Sequence, residues 1–250
     1  MKLTGNTIFI TGGGSGIGRG LAQAFHGLGN QVIISGRRAG HLAETIKANP
    51  GMRSMELNVA DPASIAAVAK KLVEEYPKLN VLINNAGVMR VDDAAGEVDD
   101  AVLTSIVTTN LMGPIRMTAA LIEHLKKQDD ATVIHVSSGL AFVPLATSSI
   151  YCATKAAIHS YTLSQRYKLK GSSVKVLELA PPWVQTELMG TNNDPRAMPL
   201  DDFIAETMKA LGTDGEEVLV ERVKRLRDNT GPNEAIFVTQ FNDMLAQTPR

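Results

Sequence analysis

The chain has one cysteine, Cys152, among 250 residues, which excludes an intrachain disulfide. It has no apolar run approaching the roughly 20 residues needed to cross a bilayer. Its start, MKLTGNTIFITGG, lacks an apolar core followed by a small-residue cleavage site. The expectation is a soluble, cytoplasmic protein with no membrane partner. Neither charge is in excess: 25 Lys and Arg against 26 Asp and Glu give a formal charge of -1. No general attraction to nucleic acid or anionic lipid follows, and the basic cluster RVKRLR at 222–227 reads as a solvated helix face. His26, His41, His124, His135 and His159 show no metal-ligand spacing, so no metal is assigned. A GxSxG elbow with a partner histidine is also missing, which argues against a hydrolase. No repeat, low-complexity stretch or Pro/Gly/Ser linker divides the chain, and residues 1–250 read as one domain.

What is present is an alternation of two periodicities. Short apolar or β-branched runs at 7–11, 31–35, 53–59, 80–86, 131–138 and 174–180 are separated by helical patterns at about 16–28, 39–48, 62–76, 98–126 and 152–170. Near-continuous apolar strands separated by helices indicate a doubly wound α/β fold, a parallel sheet with helices on both faces. Residues 187–200 read as a loop, and the extension over 201–250 opens on a helix with Asp201 near its N-terminus. Within that extension AIFVTQF, at 235–241, reads as helix in preference to a seventh strand.

TGGGSGIG, from Thr11 to Gly18, follows the first strand and opens a helix. In that setting glycines let backbone N–H groups and a helix N-terminus approach a pyrophosphate. The spacing is GxxxGxG over Gly12, Gly16 and Gly18, with Ser15 and Ile17 beside them. A site selective for NAD has an acid about 20 residues further on to bind the ribose 2′-hydroxyl. Here the second strand ends Ser35-Gly36-Arg37-Arg38, with no carboxylate. Arginine makes charge-assisted bonds to a 2′-phosphate, so NADP (NADPH) is favoured over NAD, with Arg37 preferred to Arg38 as the contact.

SSIYCATKAA, from Ser148 to Ala157, places Tyr151 and Lys155 four residues apart, on one face of a helix. A positive charge about 4 Å from a forming phenolate is worth roughly 4 kcal/mol at an effective dielectric of 20, or three pKa units before desolvation. Such a tyrosine would titrate nearer neutrality and could act as a general acid or base. Ser138 ends the fifth strand thirteen residues earlier, NNAG (Asn84 to Gly87) ends the fourth, and Asn110 lies between.

In this order, TGxxxGxG, NNAG, a helical Asn, a strand-terminal Ser and YxxxK, the chain resembles the short-chain dehydrogenase/reductase family from about residue 5 to 190. The segment LAPPWVQTE further resembles a bacterial DltE-like subgroup. The resemblance implies a Rossmann-like sheet of order 3-2-1-4-5-6, its seventh strand left open, and an NADP-dependent oxidoreductase acting on a small carbonyl or alcohol. Tyr151 would be the proton donor or acceptor and Ser138 would bond the substrate oxygen. Lys155 would lower the tyrosine pKa and hold the nicotinamide ribose, and Asn110 would order a water linking Lys155 to solvent. Cofactor contacts are implied for Gly12, Ser15, Gly16, Ile17, Gly18, Arg37, Arg38, Asn58, Val59, Asn85, Ala86, Gly87, Tyr151, Lys155, Pro181, Val184 and Thr186. Related proteins pair the helix after the fourth strand and the YxxxK helix between subunits, which implies a homodimer or homotetramer.

The chain departs from the family pattern in two places. Pro182 replaces the glycine of PGxVxT, removing an N–H and the left-handed conformation from that turn. Asn58 stands where the family often has Asp beside the adenine. Met89, Leu140, Phe142, Trp183 and Met189 lie in segments that approach the substrate end. The rival from another class is an NADP(H)-binding scaffold or regulator that keeps the site with little turnover.

Overall fold

The computed structural model describes residues 1–190, 194–229 and 231–246, apart from the side chain of Met189. Its strands are β1 (Thr7–Thr11), β2 (Gln31–Gly36), β3 (Arg53–Glu56), β4 (Leu79–Asn84), β5 (Ala131–Val136), β6 (Val174–Leu179) and β7 (Glu217–Val218). Among the described residues they form one sheet in the order β3-β2-β1-β4-β5-β6-β7, and every pair is parallel. The helices are α1 (Gly16–Gly27), α2 (Ala39–Ala48), α3 (Pro62–Glu75), α4 (Asp100–Val107), α5 (Gly113–Leu125), α6 (Ser149–Lys168), α7 (Leu200–Leu211), α8 (Glu221–Arg227) and α9 (Glu234–Ala246). No described helix is long and apolar enough to cross a membrane.

Strand alternation divides the interior into two cores. Ile8 and Ile10 of β1, with Val32 and Ile34 of β2, join Leu21 and Phe25 of α1 and Phe203 and Leu211 of α7. Phe9 and Ile33 point the other way, to Ile65 and Leu72 of α3 and Met117, Leu121 and Leu125 of α5. Burial on both faces explains why β5 has no exposed position. The strand order reverses between β1 and β4, so the turns after these two strands flank the crevice where ligands bind in such sheets.

The doubly wound reading holds, with four local differences. β3 stops at Glu56 because Asn58 turns the chain, its Oδ1 accepting from Ala60 N at 3.2 Å. The expected helix over 98–126 is interrupted by a π turn at Thr108–Met112 before Gly113 and Pro114 begin α5. α6 starts at Ser149, which brings Tyr151 into its first turn. The seventh strand is Glu217–Val218, beside β6, too short for any periodicity to show, and AIFVTQF is helical within α9 as expected. Residues 191–193, 230 and 247–250, in the expected loop and extension, lie outside the described residues. On either side of residues 191–193 the loop is secured: Glu187–Met189 form a 3-10 turn, and Val184 bridges to Met198.

Phe203, fully buried on α7, is a measure of how much the C-terminal segment contributes to the first core. Phe203→Ala is expected to cost about 3–5 kcal/mol, seen as a lower urea midpoint with an unchanged slope. A loss below about 1 kcal/mol would contradict the packing.

Candidate active site

The turn after β1 is shaped by close approach. Gly12 has φ +70, and a Cβ there would lie 2.9 Å from Ala86 Cα; a Cβ on Gly18 would lie 2.3 Å from Gly12 O and 2.4 Å from Asn85 Nδ2. The turn is tied to the end of β4 by Thr11, whose hydroxyl oxygen accepts from Asn85 N and Ala86 N, both at 3.0 Å. Asn85 Nδ2 in turn donates to Thr11 O at 3.0 Å and Gly12 O at 3.2 Å. Ser15, at the N-cap of α1, makes no side-chain cap bond among the described residues. The first-turn N–H groups of such a helix are donors suited to an anion such as a pyrophosphate. Ser15, the residue at the cap position, instead receives Arg38 Nη2 on its hydroxyl at 2.9 Å, and the same nitrogen lies 3.5 Å from Glu187. Arg37 is exposed and has no ion pair among the described residues. The opposite wall comes from the chain after β6: a Cβ on Gly16 would meet Thr186 Cβ at 3.4 Å.

Tyr151, Ser138 and Lys155 meet at the same sheet edge. Tyr151 is 6% exposed, and burial pushes its phenol up to about 12, while a hydrogen bond with Ser138 pulls the other way. Ser138 Oγ also accepts from Leu140 N at 3.1 Å. Lys155, 4% exposed, donates from Nζ to Val136 O at 2.8 Å; burial lowers its ammonium to about 8, against the opposing charge of Glu178. The expectation that Lys155 draws the phenol toward neutrality is reversed within the protein's own groups. Nζ lies 5.5 Å from the ring centroid, a carbonyl engages it, and desolvation of the phenol dominates. Asn110, in the π turn, clasps Val88 through both main-chain atoms, Val88 N donating to Oδ1 and Nδ2 donating to Val88 O, each at 2.8 Å. Nδ2 also reaches Thr154 Oγ1 at 3.3 Å, joining the NNAG strap to α6. A Cβ on Gly87 would be 3.5 Å from Asn110 Oδ1 and 3.8 Å from Lys155 Nζ, so the strap passes directly over this group.

A family model described as short chain dehydrogenase matches residues 6–197. The chain belongs to this family. It is 40% identical over 248 residues to the uncharacterized oxidoreductase DltE of Bacillus subtilis (strain 168), covering 97% of this chain and 98% of that one. A short chain dehydrogenase from Burkholderia cenocepacia J2315, solved with NADP, superposes with TM-score 0.85 at 23% identity over 100% of each chain. One from Burkholderia phymatum, solved with NAD, gives 0.80 at 21% identity over 100% of this chain and 98% of that one. These structural likenesses show the fold, and the family is one of oxidoreductases that bind a nicotinamide cofactor and act on small molecules.

The other expected contacts of this DltE-like short chain dehydrogenase are spread along the crevice and beyond it. Ile17 packs on the first core, and Val184 is buried within it. Val59 is buried against Gly113, and Asn58 is exposed beside it with its amide oxygen held by Ala60. Pro181 O accepts from Gly139 N at 2.8 Å, extending the β5–β6 pairing, although Pro181 has no N–H to donate back to β5. Met89 and Leu140 pack on Tyr151 and Cys152. Trp183 is 39% exposed with Arg196 stacked 4.9 Å above its ring, while the Met189 side chain lies outside the described residues. Phe142, expected at the substrate end, is buried elsewhere, against Val143 and Ala180 beneath Phe237 and Phe241 of α9. Its ring is also edge-on to His159 at 5.1 Å.

Sequence spacing assigned no role to two further features. Thr11 opens the TGxxxGxG pattern, but nothing in its position marks it as the acceptor for the strap. His159, Glu178 and Glu217 bring ligand atoms within 4.8 Å of one another. Arg227, however, holds Glu217 Oε1 and Oε2 at 3.0 and 2.9 Å, so the cluster is charge-paired within the protein.

Thr11→Val leaves two strap N–H groups without their acceptor. It is expected to cost about 1–3 kcal/mol of stability and to weaken nicotinamide-cofactor binding, with Thr11→Ser close to the parent. Urea unfolding and cofactor titration check this, and a valine variant matching the parent in both would contradict the strap.

Proposed function

We propose that the chain is an NADP(H)-dependent reductase or dehydrogenase acting on a ketone, aldehyde or secondary alcohol. The observation that carries this reading is the buried Tyr151 phenol, one helical turn from Lys155 and subject to the Ser138 hydroxyl, which opposes the rise that burial causes, at the sheet edge that also holds the N-terminus of α1. When bound, the nicotinamide supplies or accepts the hydride. In the reducing direction Ser138 donates a hydrogen bond to the carbonyl oxygen, stabilising the charge that grows there. Tyr151 delivers the proton to that oxygen, so the C=O bond becomes CH–OH and the tyrosine is left as phenolate beside the Lys155 ammonium. Lys155 balances that charge and holds the nicotinamide ribose. Met89, Leu140 and Trp183 face the substrate, which favours a molecule of modest polarity.

Arg37 supports NADP over NAD: it is exposed at the end of β2, unpaired among the described residues, and the strand end Ser35-Gly36-Arg37-Arg38 itself carries no acid. Arg38, already bridging Ser15 and Glu187, would join it only by exchanging partners. The same reading places a subunit contact on α6, where Leu163 and Tyr167 are exposed.

NADPH is expected to bind at least about tenfold tighter than NADH, with Arg37→Glu removing most of that difference. Tighter NADH binding would contradict the assignment. Tyr151→Phe should abolish carbonyl turnover and keep cofactor affinity; a full biological effect without the phenol would favour a binding role.

The pH dependence has a defined sign. The phenol, pushed up to about 12, stays protonated and able to donate through the neutral range, whereas Lys155 loses its charge as pH rises through about 8. Carbonyl reduction at saturating NADPH should therefore be level below about pH 7 and decline with a midpoint near 8. A rate that rises across that interval would contradict the roles.

A further inference from the structure

One carboxylate outside every motif joins the cofactor strap to the tyrosine helix. Asp92 follows NNAG by five residues. Its Oδ1 accepts from Ser149 N at 2.9 Å and from the Ser149 hydroxyl, and its Oδ2 accepts from Ile150 N at 3.0 Å. Its own N–H donates to Thr147 O at 3.0 Å. α6 has no cap from the side chain at its N-cap position, Ser148. Two backbone donors of its first turn, Ser149 N and Ile150 N, are instead satisfied by a residue 57 and 58 positions away, whose negative charge also suits the positive end of the helix. Ile150, held by Oδ2, directly precedes Tyr151.

The segment leading to Asp92 is anchored at three points. Asn85 is bound to the glycine turn, Val88 is clasped by Asn110, and Met89 packs on Tyr151 and Cys152. A displacement at Asp92 has little slack to absorb it before the tyrosine. The loop between Ser138 and Tyr151 has a second clip on its other side: Asn242 of α9 accepts from Ala146 N at 2.6 Å and donates to Pro144 O at 3.0 Å. That clip touches the loop and not α6, so it separates general stiffening of the loop from control of the helix turn.

We propose that Asp92 is a positioning residue, which closes the first turn of α6 and thereby sets the placement of the Tyr151 phenol relative to Ser138. The proposal rests on the reading of Tyr151 as the proton-transfer group. It reaches beyond that reading by making the tail of the cofactor strap part of the proton-transfer geometry.

Asp92→Ala, Asp92→Asn and Asn242→Ala would each be measured in three ways. These are NADPH affinity, kcat and KM with the fastest carbonyl from a panel of aliphatic and aromatic aldehydes, and the rate at which Cys152, the sole thiol, reacts with a disulfide reagent. Asp92→Ala should lower kcat about 10- to 100-fold, the effect of misplacing a reacting group by up to an ångström, while NADPH affinity stays within about twofold. It should also speed reaction of the Cys152 thiol, which is buried and accepts from Leu145 N at 3.2 Å. Asp92→Asn keeps an oxygen for Ser149 and should recover most of the lost kcat, and Asn242→Ala should stay within about threefold of the parent. Two results would overturn the proposal: an unchanged kcat and thiol rate in Asp92→Ala, or kcat and NADPH affinity falling together in all three variants in step with stability. If the parent reduces no carbonyl, the proposed reaction fails, yet the thiol rates of the two Asp92 variants still decide whether Asp92 holds the turn.

Discussion

The bond from Lys155 Nζ to Val136 O is the constraint around which the site is arranged. A buried ammonium is costly unless its protons find acceptors, and here the acceptor is the last carbonyl of a strand with no exposed position. This single contact pins α6 to the end of β5, and Ser138 follows two residues later. Tyr151, one turn before Lys155, is thereby delivered to Ser138 without either residue having to find the other through a flexible loop. The cost is visible in the electrostatics: burial brings the lysine down to about 8 and the tyrosine up to about 12, so the two groups remain protonated donors at neutral pH.

The second organising element is the strap that begins where β4 ends. Thr11 and Asn85 lock it to the glycine turn, and Asn110 grips it at Val88 from a π turn that departs from regular helical spacing. Two halves of the crevice, one built from β1 and α1 and the other from α6, are thus joined by a short stretch of backbone. Most of its residues are small or contribute main-chain atoms, which is why NNAG is legible as a motif while the individual roles within it are not.

How much could be read in advance follows from how local each feature is. The first six strands, the glycine turn and the four-residue interval from Tyr151 to Lys155 were legible because alternation, turn chemistry and helical spacing are properties of neighbouring residues. β7 was not, since two residues carry no period and its existence depends on pairing with β6. Phe142 was misplaced for a related reason: its surroundings are set by α9, nearly a hundred residues later. The balance between desolvation and the lysine charge on Tyr151 was out of reach as well, because spacing reports neither burial nor that Val136 already engages the ammonium. Arg38, drawn to Ser15 and Glu187, belongs to the same class of long-range contact.

The central claim, hydride transfer coupled to proton donation by Tyr151, is tested most directly by following a label. NADPH carrying deuterium at both C4 positions of the nicotinamide would be mixed with the protein and a reducible aldehyde, and the alcohol analysed by mass spectrometry. The account predicts deuterium on the former carbonyl carbon, with none transferred when Tyr151 is replaced by Phe. Unlabelled alcohol, or equal transfer by the Tyr151→Phe protein, would contradict it.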